Sequence, residues 1–76
     1  MKIKVNTQEL KADRARNGLS GRELATLIGI SIEGYRKKER GEVEFKPSEI
    51  YNIANELNMT LDRVNVVFFG EKLPRG

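Results

Sequence analysis

The segment Leu19-Ser20-Gly21-Arg22-Glu23-Leu24-Ala25-Thr26-Leu27-Ile28-Gly29-Ile30-Ser31-Ile32-Glu33-Gly34-Tyr35-Arg36-Lys37-Lys38-Glu39-Arg40-Gly41 reads as two short helices joined at a glycine. Ser20 and Glu23 stand at capping-box spacing, with Leu19 and Leu24 as the apolar staple around them. Gly29 supplies the left-handed residue that ends a helix. Ser31 then caps a second helix, with Ile30 and Tyr35 at staple positions and Gly41 past its end. Only Gly29 and Ile30 lie between the first helix and the next cap, and so short a connection holds two helices at a steep angle.

The same punctuation extends in both directions. Upstream, Asn6 and Glu9 form another capping-box pattern flanked by Val5 and Leu10, which predicts a helix to about Asn17 with Gly18 as its stop. Downstream, Pro47 suits a first helical turn, because its missing N–H has no helical partner there. Ile50, Ile53, Ala54 and Leu57 follow at the spacing of one helical face, and Asn58 is the expected C-cap. Thr60 caps a fifth helix, with Met59 and Val64 as staple. From Val66 to Gly76 no helical period is visible, and Met1 to Val5 alternates as a short strand would. The expectation is a compact all-α domain of five helices spanning residues 1–76, with a core of about 7–68 and a tail of 69–76 forming a short extension or strand.

Composition excludes most chemistry. The chain has 76 residues, 38% hydrophobic and 33% charged, which suits one small globular domain. It contains neither cysteine nor histidine, which removes disulfides, nearly every transition-metal site and the histidine-based nucleophile arrangements. No catalytic residue, metal, cofactor or small-molecule ligand is expected. No apolar run approaches the ~18 residues of a membrane span, and the start lacks the apolar stretch of a secretory signal. A cytoplasmic protein is therefore expected. The net charge of +3 permits a polyanionic partner without requiring one.

At 100° per residue, Ile32, Glu33, Arg36, Lys37 and Arg40 share one arc of the third helix, while Tyr35, Lys38 and Glu39 fall opposite. The first arc is polar and mostly basic, the surface that a recognition helix presents to a major groove. On the first helix, Arg14 lies on the side of Leu10. Both Arg14 and Glu39 thus point inward, which is tolerable only if they are paired.

The stretch from Leu19 to Gly41, together with Pro47-Ser48-Glu49-Ile50-Tyr51-Asn52-Ile53-Ala54-Asn55-Glu56-Leu57-Asn58-Met59-Thr60-Leu61-Asp62, resembles the Cro and lambdoid repressor-type family over roughly residues 7–68. The resemblance implies a lambda-repressor-like domain with a helix-turn-helix formed by helices 2 and 3. It further implies a sequence-specific, DNA-binding transcriptional regulator of a phage or bacterium, without enzymatic activity, acting as a homodimer on palindromic operators. The family's base-reading positions fall on Ser31, Ile32, Glu33 and Lys37, with Arg36 close by. Lys37 and Arg36 can donate to guanine, Ile32 can pack on a thymine methyl, and Glu33 can accept from cytosine. The plainer role for Glu33 is to complement the helix dipole. Phosphate contacts are expected from Ser20, Gly21 and Arg22 at the start of helix 2, with Arg40 and Lys46 adding charge. For each of these cations alone, a solvated surface charge is the plainer reading. The family also pairs an Arg and a Glu at the positions of Arg14 and Glu39, which implies a structural ion pair.

Four features depart from the family. Gly21 stands where a phosphate-contacting Gln is usual, Lys38 where an apolar side chain packs inward, Gly34 lies inside helix 3, and the 42–46 loop carries two carboxylates. The run Val66-Val67-Phe68-Phe69 completes the core on the plain reading and is a candidate dimer patch on the functional one. A second function remains open, that of a protein-interaction module on the same fold, an antirepressor or antitoxin that binds another regulator.

Overall fold

The computed structural model describes residues 5–70, and among them it contains five helices and no strand. They are α1 (Thr7–Arg16), α2 (Gly21–Ile28), α3 (Ile32–Glu39), α4 (Pro47–Glu56) and α5 (Leu61–Phe68). The alternating segment 1–4 and the tail 71–76 lie outside the described residues.

Local chemistry sets the boundaries. In α2 both bonds of the capping box form: Glu23 N–H donates to Ser20 Oγ at 3.0 Å, and Ser20 N–H donates to Glu23 Oε1 at 2.9 Å. Gly29 ends the helix at φ 78°, a left-handed conformation that costs a residue with a Cβ about 1 kcal/mol or more. Ser31 and Thr60 accept from the third residues of α3 and α5. After α4 the cap is Leu57, one position earlier than the sequence reading, and Asn58 follows as the left-handed residue at φ 51°.

At α1 only half of the expected box forms. Asn6 Oδ1 accepts from Glu9 N–H at 3.2 Å, but Asn6 N–H donates to the Val67 carbonyl at 2.7 Å. Glu9 is thereby released to accept from Arg63 Nη2 at 2.8 Å, and the same guanidinium reaches buried Asp13 at 3.0 Å. Arg16 also pairs with Asp13. These bonds clamp α5 onto α1.

The core gathers Leu10, Leu24, Ala25, Ile28, Tyr35, Ile53, Leu57, Val66, Val67 and Phe68. Ala25 is small enough to let α2 pack closely, and α2 lies against both α3 and α4. Phe45, in the loop before α4, bridges the rings of Tyr35 and Phe68 in edge-on contacts. Val66, Val67 and Phe68 correct the sequence reading: they continue α5, and all three are buried. Four consecutive apolar residues conceal any period, because the end of α5 is covered on several sides at once. The candidate dimer patch therefore reduces to Phe69, which is 49% exposed.

Two buried ion pairs anchor the inner side of α3. Arg14 Nε lies 3.0 Å from Glu39 Oε1, with the two side chains 16% and 8% exposed. Arg14 Nη1 donates to the Leu19 carbonyl at 3.1 Å, and the Tyr35 hydroxyl donates to Glu39 Oε1 at 3.1 Å. Burial, and then the field of Glu39, push the Tyr35 hydroxyl well above its ordinary pKa, so it remains a donor. Thr7 Oγ1 donates to the Glu39 carbonyl, adding a backbone tie from the start of α1. At the adjacent residue, Lys38 Nζ bonds both oxygens of Glu49 at 2.7 and 2.6 Å, linking α3 to the first turn of α4. Lys46 N–H adds a third bond to Glu49 Oε1 at 2.8 Å. Lys38 thus fills a position where an apolar side chain usually packs inward by finding a carboxylate.

Arg14→Ala leaves Glu39 buried without its cation and is expected to lower the unfolding free energy by about 3 kcal/mol. An unchanged urea midpoint would contradict the tie. Glu49 adds a pH signature. Burial opposes its charge, yet the bonds from Lys38 and the Lys46 N–H, together with the charges of both lysines, hold its carboxyl below the ordinary range. A carboxyl depressed in the folded state stabilises above its unfolded pKa of about 4.3 and loses that contribution as pH falls through the folded value. Glu49→Gln should therefore cost about 2 kcal/mol at neutral pH, the size of a charge-assisted hydrogen bond. The difference from wild type should shrink below about pH 4. A constant offset across that range would refute the assignment.

Candidate nucleic-acid interface

With its inner face fixed, α3 turns a different set of side chains outward. Ser31, Glu33, Arg36 and Lys37 are exposed, and Ile32 is half-buried at the edge of the core. Ser31 is partly committed already, since its hydroxyl accepts from Gly34 N–H at 3.0 Å and fixes the first turn. A Cβ at Gly34 would stand 3.0 Å from that hydroxyl, so the glycine leaves room for the cap as well as weakening the helix. Of the five residues expected to read bases, four are exposed and one is half-buried, all within the cap and first turns of α3. Arg36 and Lys37 supply its donors, Glu33 its acceptor and Ile32 its apolar contact.

The residues expected at phosphates are less uniform. Ser20 and Arg22 are exposed and Gly21 is half-buried at the start of α2. Their N-terminal amides lie where no helical carbonyl can reach them, so the Gly21 and Arg22 N–H groups remain available to an anion. Gly21 has a packing role that the sequence did not reveal. A Cβ there would meet Tyr35 Cε2 at 3.3 Å and the Arg14 guanidinium carbon at 4.0 Å. The glycine that removes a side-chain clamp therefore also makes room for the Tyr35 ring, whose hydroxyl donates to Glu39.

Arg40 is exposed but engaged. Its Nε lies 2.5 Å from Glu42 Oε2, and that bond is the first cause holding the Glu42 carboxyl below its ordinary range. Lys46 is exposed at the N-cap of α4, with its backbone amide used by Glu49. Sequence reasoning noted the carboxylates of the 42–46 loop but missed that Glu42 pairs with Arg40. Its two-residue spacing from Arg40 was visible, but the pairing depends on how Gly41 reverses the chain. Among the described residues, no three His, Cys, Asp or Glu side chains converge as metal ligands. No helix among the described residues is long and apolar enough to cross a membrane.

The helix-turn-helix family matches residues 10–64. No curated protein matches the chain by sequence. Among solved structures, the restriction-modification controller protein C.AhdI from Aeromonas hydrophila is similar at 28% identity and TM-score 0.67, covering 76% of this chain and 88% of its own. The clp gene regulator ClgR from C. glutamicum is similar at 25% identity and TM-score 0.67, covering 79% and 78% respectively. The DNA-binding domain of the P22 C2 repressor shares the fold at TM-score 0.68, with 19% identity and 84% of each chain covered. The match across α1 to α5, on a chain whose α2 and α3 meet at Gly29, makes it a member of the helix-turn-helix family, a DNA-binding transcriptional regulator of the Cro/C1 type.

Proposed function

We propose that the chain regulates transcription in the cytoplasm as a single domain that inserts α3 into the major groove of double-stranded DNA. Ser31, Ile32, Glu33, Arg36 and Lys37 read base edges. Ser20, the Gly21 and Arg22 amides, Arg22, Arg40 and Lys46 hold the flanking phosphates. The observation that carries this reading is the division of α3. Its inner side is tied down through Glu39 and Lys38, and its outer side presents Arg36 and Lys37 free of the core. A helix held rigidly from behind keeps donors at the fixed positions that base readout requires.

The proposed complex is a homodimer on a palindromic operator. Leu61, 74% exposed, and Phe69 stand at opposite ends of α5 as apolar surface that a second copy would cover. A second reading, binding to another regulator protein, draws support from the Arg40–Glu42 pair, which removes free positive charge beside α3.

The roles of individual cations are separable. Lys37→Ala is expected to cost about 1–3 kcal/mol on a preferred duplex and to relax selectivity at one base pair. Arg22→Gln should instead weaken binding to all duplexes similarly and reduce the salt slope by about 1. Lys37→Ala with unchanged base preference would sink the docking of α3. Binding to a protein partner that persists at high salt without DNA would favour the second reading.

A further inference from the structure

The chain reverses immediately after α3, and the reversal brings a carboxylate onto the basic face. Gly41 is left-handed at φ 82°, its N–H donates to the Lys38 carbonyl, and the Glu42 N–H donates to the Lys37 carbonyl at 2.9 Å. This backbone pattern folds residue 42 against the last turn of the helix. It leaves the Glu42 carboxylate on Arg40 Nε at 2.5 Å, with the two side chains 54% and 53% exposed. The charge of Lys37 also acts on Glu42. One carboxylate therefore stands among two of the cations assigned above to DNA.

A carboxylate and a phosphate make the same charge-assisted bonds to a guanidinium. We propose that Glu42 is a selectivity residue, occupying on Arg40 the place of a DNA phosphate and yielding it only when the rest of the interface forms. The proposal rests on the reading of α3 as the DNA-contacting helix and deepens it. An exposed ion pair is weak, so a well-seated duplex displaces the carboxylate readily. A loosely held duplex gains less from Arg40, because the carboxylate already holds its Nε and offsets its charge. Glu42 thereby subtracts from sequence-independent attraction while leaving base readout intact, and it raises the ratio of specific to non-specific binding.

The test is the affinity of the whole chain for a random-sequence duplex and for a preferred duplex, by fluorescence anisotropy over about 50–200 mM salt. Glu42→Gln is expected to tighten random-duplex binding about two- to fivefold, the range set by an exposed ion pair. It should steepen the salt slope by about 0.9, for one further phosphate engaged. Glu44→Gln, in the same loop, removes the same formal charge and should give a smaller gain. The excess of Glu42→Gln over Glu44→Gln should vanish in an Arg40→Gln background. Equal gains from the two carboxylates, or a gain that persists without Arg40, would overturn the proposal while leaving DNA binding in place. If neither wild type nor any variant binds duplex in a salt-dependent way, the DNA reading falls and the role of Glu42 falls with it.

Discussion

Glu39 is a carboxylate withdrawn from water, and the arrangement of this molecule follows from satisfying it. Arg14 on α1 reaches it with Nε, Tyr35 one turn back donates its hydroxyl, and Thr7 binds its carbonyl. A buried ion pair adds little net stability over an apolar contact, but losing one partner is costly. The cluster therefore acts mainly on geometry. It admits one rotation of α3 about its own axis, the one that turns Arg36 and Lys37 away from the core. Gly21 belongs to the same arrangement, since its missing side chain lets the Tyr35 ring lie beside the start of α2.

Lys38 and Glu49 repeat this logic on the next helix. An apolar residue at position 38 would fill the space between α3 and α4 without direction, whereas a lysine bonded to both oxygens of one carboxylate fixes where α4 begins. Glu49 also accepts from the Lys46 amide, so the same group caps α4 and holds α3. On the far side, Arg63 ties α5 to Glu9 and Asp13 of α1. Polar ties that span α1, α3, α4 and α5 let a small apolar core present a rigid outer face.

Much of the fold was legible because helix ends are written locally. Ser20 with Glu23, Ser31, Pro47 and Thr60 each act within four residues and mark the starts of α2 to α5, and Gly29 marks the end of α2. What was not legible depends on distance or on crowding. Lys38 and Glu49 lie eleven positions apart, and Arg63 meets Asp13 across fifty, spacings that no helical pattern encodes. Half of the box at Asn6 is lost because a carbonyl from α5 competes for its amide. The apolar run at Val66 conceals its period, so helix and tail looked alike there. On the outer face of α3 the sequence identifies the exposed residues by their helical phase. It does not reveal that Gly41 turns Glu42 back onto Arg40.

In the proposed complex, a helix held from behind by Glu39 and Lys38 reads DNA sequence with its outer face. Selection of binding sites from random duplex DNA by the purified protein, at physiological salt, tests it most directly. The expected result is enrichment of a palindrome whose half-sites lie about 10 bp apart, one turn of the double helix. Recovery of duplexes with no common sequence would contradict it.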